Sequence, residues 1–150
     1  MKIPKRNTSK YSGQYAGAFD PQRIMQIFND SQRIALTSKN PKTAGDRFDL
    51  AIETYHQLMS MRLSSNEKKS LQEAMEELAE SFPTMVIINE ARGLREKAQK
   101  LKTPSKRLDL FQQASEIVNR GLADNPTSSI LQKTADEIQA EINDTEAAMQ

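Results

Sequence analysis

The sequence predicts an all-α protein of about six antiparallel helices, set out as two helical hairpins plus a linking helix with tetratricopeptide-like or bundle packing. Three observations lead there. From Asp20 onward, apolar residues recur at three- and four-residue spacing. No stretch alternates apolar and polar residues over five positions, as a half-buried strand would. The breaks are short and carry helix-boundary chemistry: Lys39-Asn40-Pro41, Ser64, Pro83, Thr103-Pro104 and Asp124-Asn125-Pro126.

The elements follow in order. Asp20 is a candidate cap, with Pro21 suited to the first helical position. Ile24, Ile27, Phe28, Ser31, Ile34 and Ala35 then share one face, and Lys39-Asn40-Pro41 ends the first helix. Thr43 with Asp46 resembles a capping box and opens a second helix that buries Phe48, Ala51, Ile52, Tyr55, Leu58 and Met59. Ser64 and Glu67 form a true capping-box pair before a third helix bearing Leu71, Ala74, Met75, Leu78 and Phe82. Pro83 is expected to break the chain, and a fourth helix starts near Thr84 with Val86, Ile87, Ala91, Leu94, Ala98 and Leu101. Its opening turn, Met85 to Ile88, is apolar all round and is expected to be central. Thr103-Pro104 opens a fifth helix with Leu108, Phe111, Ala114, Ile117, Val118 and Leu122. Asp124-Asn125-Pro126 stops it and starts a sixth with Ile130, Leu131, Ala135, Ile138 and Ile142, which is expected to fray after Asp144. Phe28, Tyr55, Phe82, Ile87, Leu94, Phe111 and Val118 are expected in one core.

At 150 residues the chain fits a single all-helical domain over residues 20–150. Residues 1–19 read as a flexible basic tail with Lys2, Lys5, Arg6 and Lys10, in which Tyr11, Tyr15 and Phe19 stand four residues apart. The net charge is +1, which excludes binding of polyanions by bulk charge but leaves room for a local patch. There is no Cys, hence no disulfide framework and no thiolate metal site. The longest apolar run spans four residues, too short to cross a membrane, and no signal-peptide core follows Met1. A cytoplasmic location is therefore expected.

Two internal similarities stand out. Thr43, Arg47, Asp49 and Leu50 match Thr103, Arg107, Asp109 and Leu110 at an offset of 60, which suggests related hairpins over 21–61 and 84–122. Ala114, Val118, Gly121 and Pro126 have the small, bulky, small and proline spacing of the second helix of a tetratricopeptide repeat. Ala51, Tyr55 and Leu58 repeat its first three positions. The chain resembles that family in helix packing; it lacks the family's first-helix signature and its 34-residue period. A further resemblance rests on Asn29-Asp30-Ser31, on Thr37 to Thr43 with Arg47 to Leu50, and on Lys97 to Thr103. Over about residues 21–122 the chain resembles an uncharacterised helical domain of bacterial and phage-borne proteins. That resemblance implies a bacterial or mobile-element setting and no particular chemistry.

Candidate catalytic groups are few. His56 lies mid-helix with Glu53 three residues before and Ser60 four after, on one side. No Gly-rich turn accompanies this line to form an oxyanion hole. Glu53-Thr-Tyr-His56 has the form of a bundle metal string, but a second copy would need another His. Glu73, Glu76, Glu77 and Glu80, like Asp136, Glu137 and Glu141, read as solvated faces. No nucleotide-binding glycine loop is present. The chain is therefore read as no enzyme, with no cofactor and no metal.

Charge distribution is more informative than its sum. Residues 85–122 carry net +4, and residues 123–150 carry net −5. The densest basic run places Lys97, Lys100, Lys102, Lys106 and Arg107 at the corner between the fourth and fifth helices, as candidate anion or partner contacts. In one reading these cations complement helix dipoles and the acidic sixth helix; in the other they form an anion site with Thr103, Ser105 and the amides of a helix start. The expected function is a non-enzymatic protein-interaction or scaffold domain with a protein partner and no membrane. The alternative is a nucleic-acid-associated protein using the basic corner at 97–107. Pathway, partner identity and oligomeric state are not encoded in these patterns.

Overall fold

The computed structural model describes residues 3–5 and 20–150. Lys2, Arg6 and Lys10 of the expected tail, with Tyr11, Tyr15 and Phe19, lie outside the described residues. Among those described there are five helices and no strand: α1 (Pro21–Thr37), α2 (Pro41–Met59), α3 (Ser65–Lys100), α4 (Pro104–Asp124) and α5 (Ser129–Ala148). No helix among them is long and apolar enough to cross a membrane.

Most boundaries follow local chemistry. The Asp20 side chain accepts from the Gln22 amide at 3.0 Å and caps α1, with Pro21 in its first turn. The Ser64–Glu67 capping box is formed in both directions: the Ser64 amide donates to Glu67 Oε1 at 3.0 Å, and the Glu67 amide donates to Ser64 Oγ at 3.1 Å. This pairing, with the Ser64 contacts leading, lowers the Glu67 carboxyl below its ordinary value of 4.5.

Three boundaries differ from expectation. α2 already runs from Pro41, so Thr43 lies within its first turn instead of capping it. α5 is capped by Ser128, whose Oγ accepts from the Leu131 amide at 3.3 Å, and it continues to Ala148 because Ile142 and Thr145 beyond the midpoint are buried. The largest difference is at Pro83, where the expected third and fourth helices form one 36-residue helix. An interior proline removes a backbone hydrogen bond and crowds the preceding turn, at a cost of about 3 kcal/mol. Here its ring sits on an exposed face, while apolar side chains on both sides hold the helix. Leu78 is fully buried before it, and Ala91 after it. Phe82, the residue next to Pro83, stacks on Phe48 with ring centroids 4.1 Å apart and planes 5° from parallel.

The described residues fall into two compact units: residues 3–5, 20–38 and 42–83, and residues 39–41 and 84–150. The expected single core is two. Phe28 and Tyr55 lie in the first, with Phe82 packed against it; Phe111 and Val118 lie in the second, with Ile87 and Leu94 packed against it. The turn Met85 to Ile88 is half-buried, not central, and its Ile87 and Ile88 border the second core.

In the second unit, α4 runs antiparallel to both α5 and the last four turns of α3. Gly121 near the end of α4 lies against Leu131 at the start of α5, and Phe111 near its start shares a hollow with Thr145 and Ala148 at the end of α5. Gly121 also faces Ile87 so closely that a Cβ would stand 2.8 Å from Ile87 Cδ1.

The helix starts set the internal register. Pro41 and Pro104 both open helices and stand 63 residues apart, not 60. At that offset Phe48 pairs with Phe111, Ala51 with Ala114, Tyr55 with Val118 and Leu58 with Gly121, all at buried or half-buried positions. Thr43 and Thr103 therefore occupy different positions, one inside a helix and one at its cap.

Three substitutions, each followed by urea unfolding, test this packing. Phe111 is 1% exposed, and Phe111→Ala is expected to cost about 3–5 kcal/mol in urea unfolding. An unchanged midpoint would misplace the face of α4. Gly45, in contrast, has open space where a Cβ would sit, so Gly45→Ala should add about 0.5–1 kcal/mol through helix propensity. Gly121→Ala should lower stability by about 1 kcal/mol or more, because the added methyl overpacks against Ile87.

Candidate functional site

The five basic residues of the corner are spread over the end of α3, the loop after it and the start of α4. Lys97 and Lys100 lie in the last turn of α3, where cations complement the negative end of the helix dipole. Lys102 follows in the loop. Lys106 and Arg107 lie in the first turn of α4, at the positive end of that dipole, so the dipole account does not extend to them. Lys97, Lys100, Lys102 and Lys106 are exposed. Arg107 is half-buried, and its Nε is buried without a hydrogen-bond partner.

Lys97 and Lys100 line one hollow of the second unit, of about 490 Å³. Its other walls are Lys39, Asn40 and Pro41 from the loop before α2, and Glu90, Gly93, Leu94 and Glu96 from α3. Gly93 permits the close approach of that loop: a Cβ there would stand 3.2 Å from Lys39 Cβ. Lys39 lies across it and pairs through Nζ with Glu96. This pairing, with Lys39's hydrogen bond leading and further attraction from Lys39, Arg92 and Lys100, holds the Glu96 carboxyl below its ordinary value of 4.5 against a desolvation that opposes it. Among the described residues, neither Lys97 nor Lys100 enters an ion pair.

Arg107 belongs to a different, smaller hollow of about 280 Å³, lined also by Gln99, Phe111, Glu141 and Asp144. Thr103 caps α4 by position, but its side chain makes no capping hydrogen bond. Of the five basic residues, Lys97 and Lys100 thus line one of these two hollows, Arg107 lines the other, and Lys102 and Lys106 line neither.

The acidic last helix is used elsewhere. Arg95 donates from Nε to Glu141 Oε1 at 2.6 Å and from Nη2 to Glu137 Oε2 at 3.4 Å, and Gln99 donates to Glu141 Oε2 at 3.2 Å. The Arg95 and Glu141 side chains are 21% and 20% exposed, so this pair is better shielded than a surface ion pair. Arg95 stood in the sequence as one charge among many. The available signal was spacing, because Arg95 and Gln99 are four apart on one helix and Glu137 and Glu141 four apart on another.

The Ser60 end of the His56 line is not assembled. His56 Nε2 lies 2.9 Å from the Pro4 carbonyl oxygen, and since a carbonyl only accepts, Nε2 holds the proton. The Ser60 hydroxyl donates to the Gln57 carbonyl at 2.7 Å. Both side chains thus direct their protons to the backbone, and the Ser60–His56 half of a relay is not made. Among the described residues no group of three or more metal-capable side chains comes together. The chain matches no family model, no curated protein and no solved structure.

The Lys39–Glu96 pair gives a pH test. A lowered carboxyl value means that the pair stabilises the fold above the ordinary glutamate value of 4.5, and that this contribution is lost as pH falls through the lowered one. Lys39→Met should therefore unfold more readily than wild type at pH 7, with the two converging below pH 4.5. A difference independent of pH would assign the effect to packing of the Lys39 stem on Gly93 instead.

Proposed function

We propose that this chain is a non-enzymatic helical interaction module with tetratricopeptide-like hairpins, and that it holds a partner protein at the hollow beside Lys97 and Lys100. The observation that carries this reading is the lining of that hollow, where two exposed cations outside any ion pair stand next to an apolar wall of Leu94 and Pro41. A surface that combines unpaired charge with apolar area suits recognition of a protein surface or segment. The burial of Ala51, Tyr55 and Leu58, and of Ala114, Val118 and Gly121, supports the hairpin reading. The occupied protons of His56 and Ser60 support a non-catalytic one. The resemblance to helical domains of bacterial and phage-borne proteins favours a bacterial or mobile-element setting and a cytoplasmic location.

A second reading is favoured by one observation: Lys97, Lys100, Lys102 and Lys106 are all exposed, as phosphate contacts of a nucleic-acid-associated protein must be. No aromatic residue lines the hollow, which removes a stacking platform for single strands.

The two readings separate on the double variant Lys97→Glu/Lys100→Glu. It is expected to keep the wild-type helical spectrum and to lose the proteins that wild type captures by cross-linking in a bacterial lysate. Capture of the same proteins by both would remove the hollow from the interaction. Duplex DNA binding that falls with salt at a log–log slope of about −0.9 per phosphate contact, and is lost in the double variant, would establish the second reading instead.

A further inference from the structure

The groups around the Lys97–Lys100 hollow are ordered along α3, and their order narrows the partner. Glu90, Leu94 and Lys97 follow one another at helical spacing of four and three residues, with Lys100 three residues further. Acid, aliphatic and two cations therefore succeed each other along one stripe. Lys39 adds little to the cationic end, because it is committed to Glu96. The cations of that end outside any ion pair among the described residues are Lys97 and Lys100.

A nucleic-acid backbone fits this order poorly. Each strand of duplex DNA carries one negative charge per about 3.4 Å of axis, so a strand laid along the stripe would bring phosphates past Leu94 and toward Glu90. An acidic protein segment can place carboxylates singly, leave an aliphatic side chain beside them, and present no anion to Glu90. The hollow's volume of about 490 Å³ falls within the roughly 300–1,000 Å³ of sites that enclose small ligands, enough for a few side chains.

We propose that the hollow binds an acidic segment of a partner protein, whose carboxylates meet Lys97 and Lys100 and whose neighbouring aliphatic side chain rests on Leu94 and Pro41. This rests on the interaction-module reading and adds the chemistry of the partner. Leu94 sets the apolar requirement, and Glu90 selects against polyphosphate.

The test uses the full chain and three fluorescent probes read by anisotropy: a synthetic peptide of Glu and Leu, the same peptide with Gln for Glu, and a short DNA duplex. The Glu–Leu peptide should bind, and Lys97→Glu/Lys100→Glu should weaken it about tenfold or more. The Gln peptide should bind about tenfold more weakly than the Glu–Leu peptide, and Leu94→Ser should weaken the Glu–Leu peptide by a smaller factor. Glu90→Gln should strengthen DNA binding by a larger factor than it strengthens binding of the Glu–Leu peptide. No binding of the Glu–Leu peptide, equal binding of the Gln peptide, or indifference of the Glu–Leu peptide to the double variant overturns the proposal. Tighter binding of DNA than of peptide, lost in the double variant, overturns it in favour of a phosphate ligand. If a captured protein needs Lys97 and Lys100 while the Glu–Leu peptide fails to bind, the acidic-segment proposal falls and the module reading stands. If neither depends on those lysines, both fall.

Discussion

Pro83 takes one backbone donor out of the middle of α3, and the helix runs on through it. The part of α3 that follows it belongs to the second unit, and supplies Ala91 and Ala98 to the core, Arg95 to the ion pairs, and Lys97 and Lys100 to the hollow. An interior proline is tolerated where its ring meets solvent and where the neighbouring turns are held by packing. Both conditions are met here: Pro83 is exposed, and the Phe82 ring beside it is stacked on Phe48.

Small residues set the close approaches. Ala91, Ala98 and Ala114 are fully buried, and Gly121 is buried where α3, α4 and α5 meet. At such sites the missing side chain is what lets backbones approach. The same logic shapes the candidate site, since Gly93 admits the Lys39 stem and brings the loop before α2 against α3. The correspondence of Ala51 with Ala114, and of Leu58 with Gly121, at an offset of 63 residues places equivalent positions on the helices that open at Pro41 and Pro104. Helix starts fix this register, whereas the matching letters at an offset of 60 do not stand at equivalent helix positions.

Charge in the second unit is divided by task. Arg95 and Gln99 engage Glu137 and Glu141 and tie α3 to α5. Lys39 engages Glu96 and holds a loop. Lys97 and Lys100 close the helix dipole and are left facing an open hollow. A net charge near zero thus coexists with a local cationic site, because Glu137 and Glu141 of the last helix engage Arg95 and not these lysines.

The sequence by itself determined the helical class, the faces of α1 and α4, and the boundaries set within a few residues: the Asp20 cap with Pro21, the Ser64–Glu67 box and the start at Thr103-Pro104. These depend on periodicity and on local donors and acceptors, which are complete in a short stretch of chain. It also located Lys97, Lys100, Lys102, Lys106 and Arg107 as a basic run, because charge density is a one-dimensional property. Tertiary structure decided what adjacency in the chain cannot express. It carried α3 through Pro83 by burial on either side, divided the apolar residues between two cores, and separated Arg107 from the lysines. It also placed Lys39, 57 residues earlier in the chain, on Glu96. Such contacts are fixed by which helix faces pack together, and local propensity carries no record of that choice.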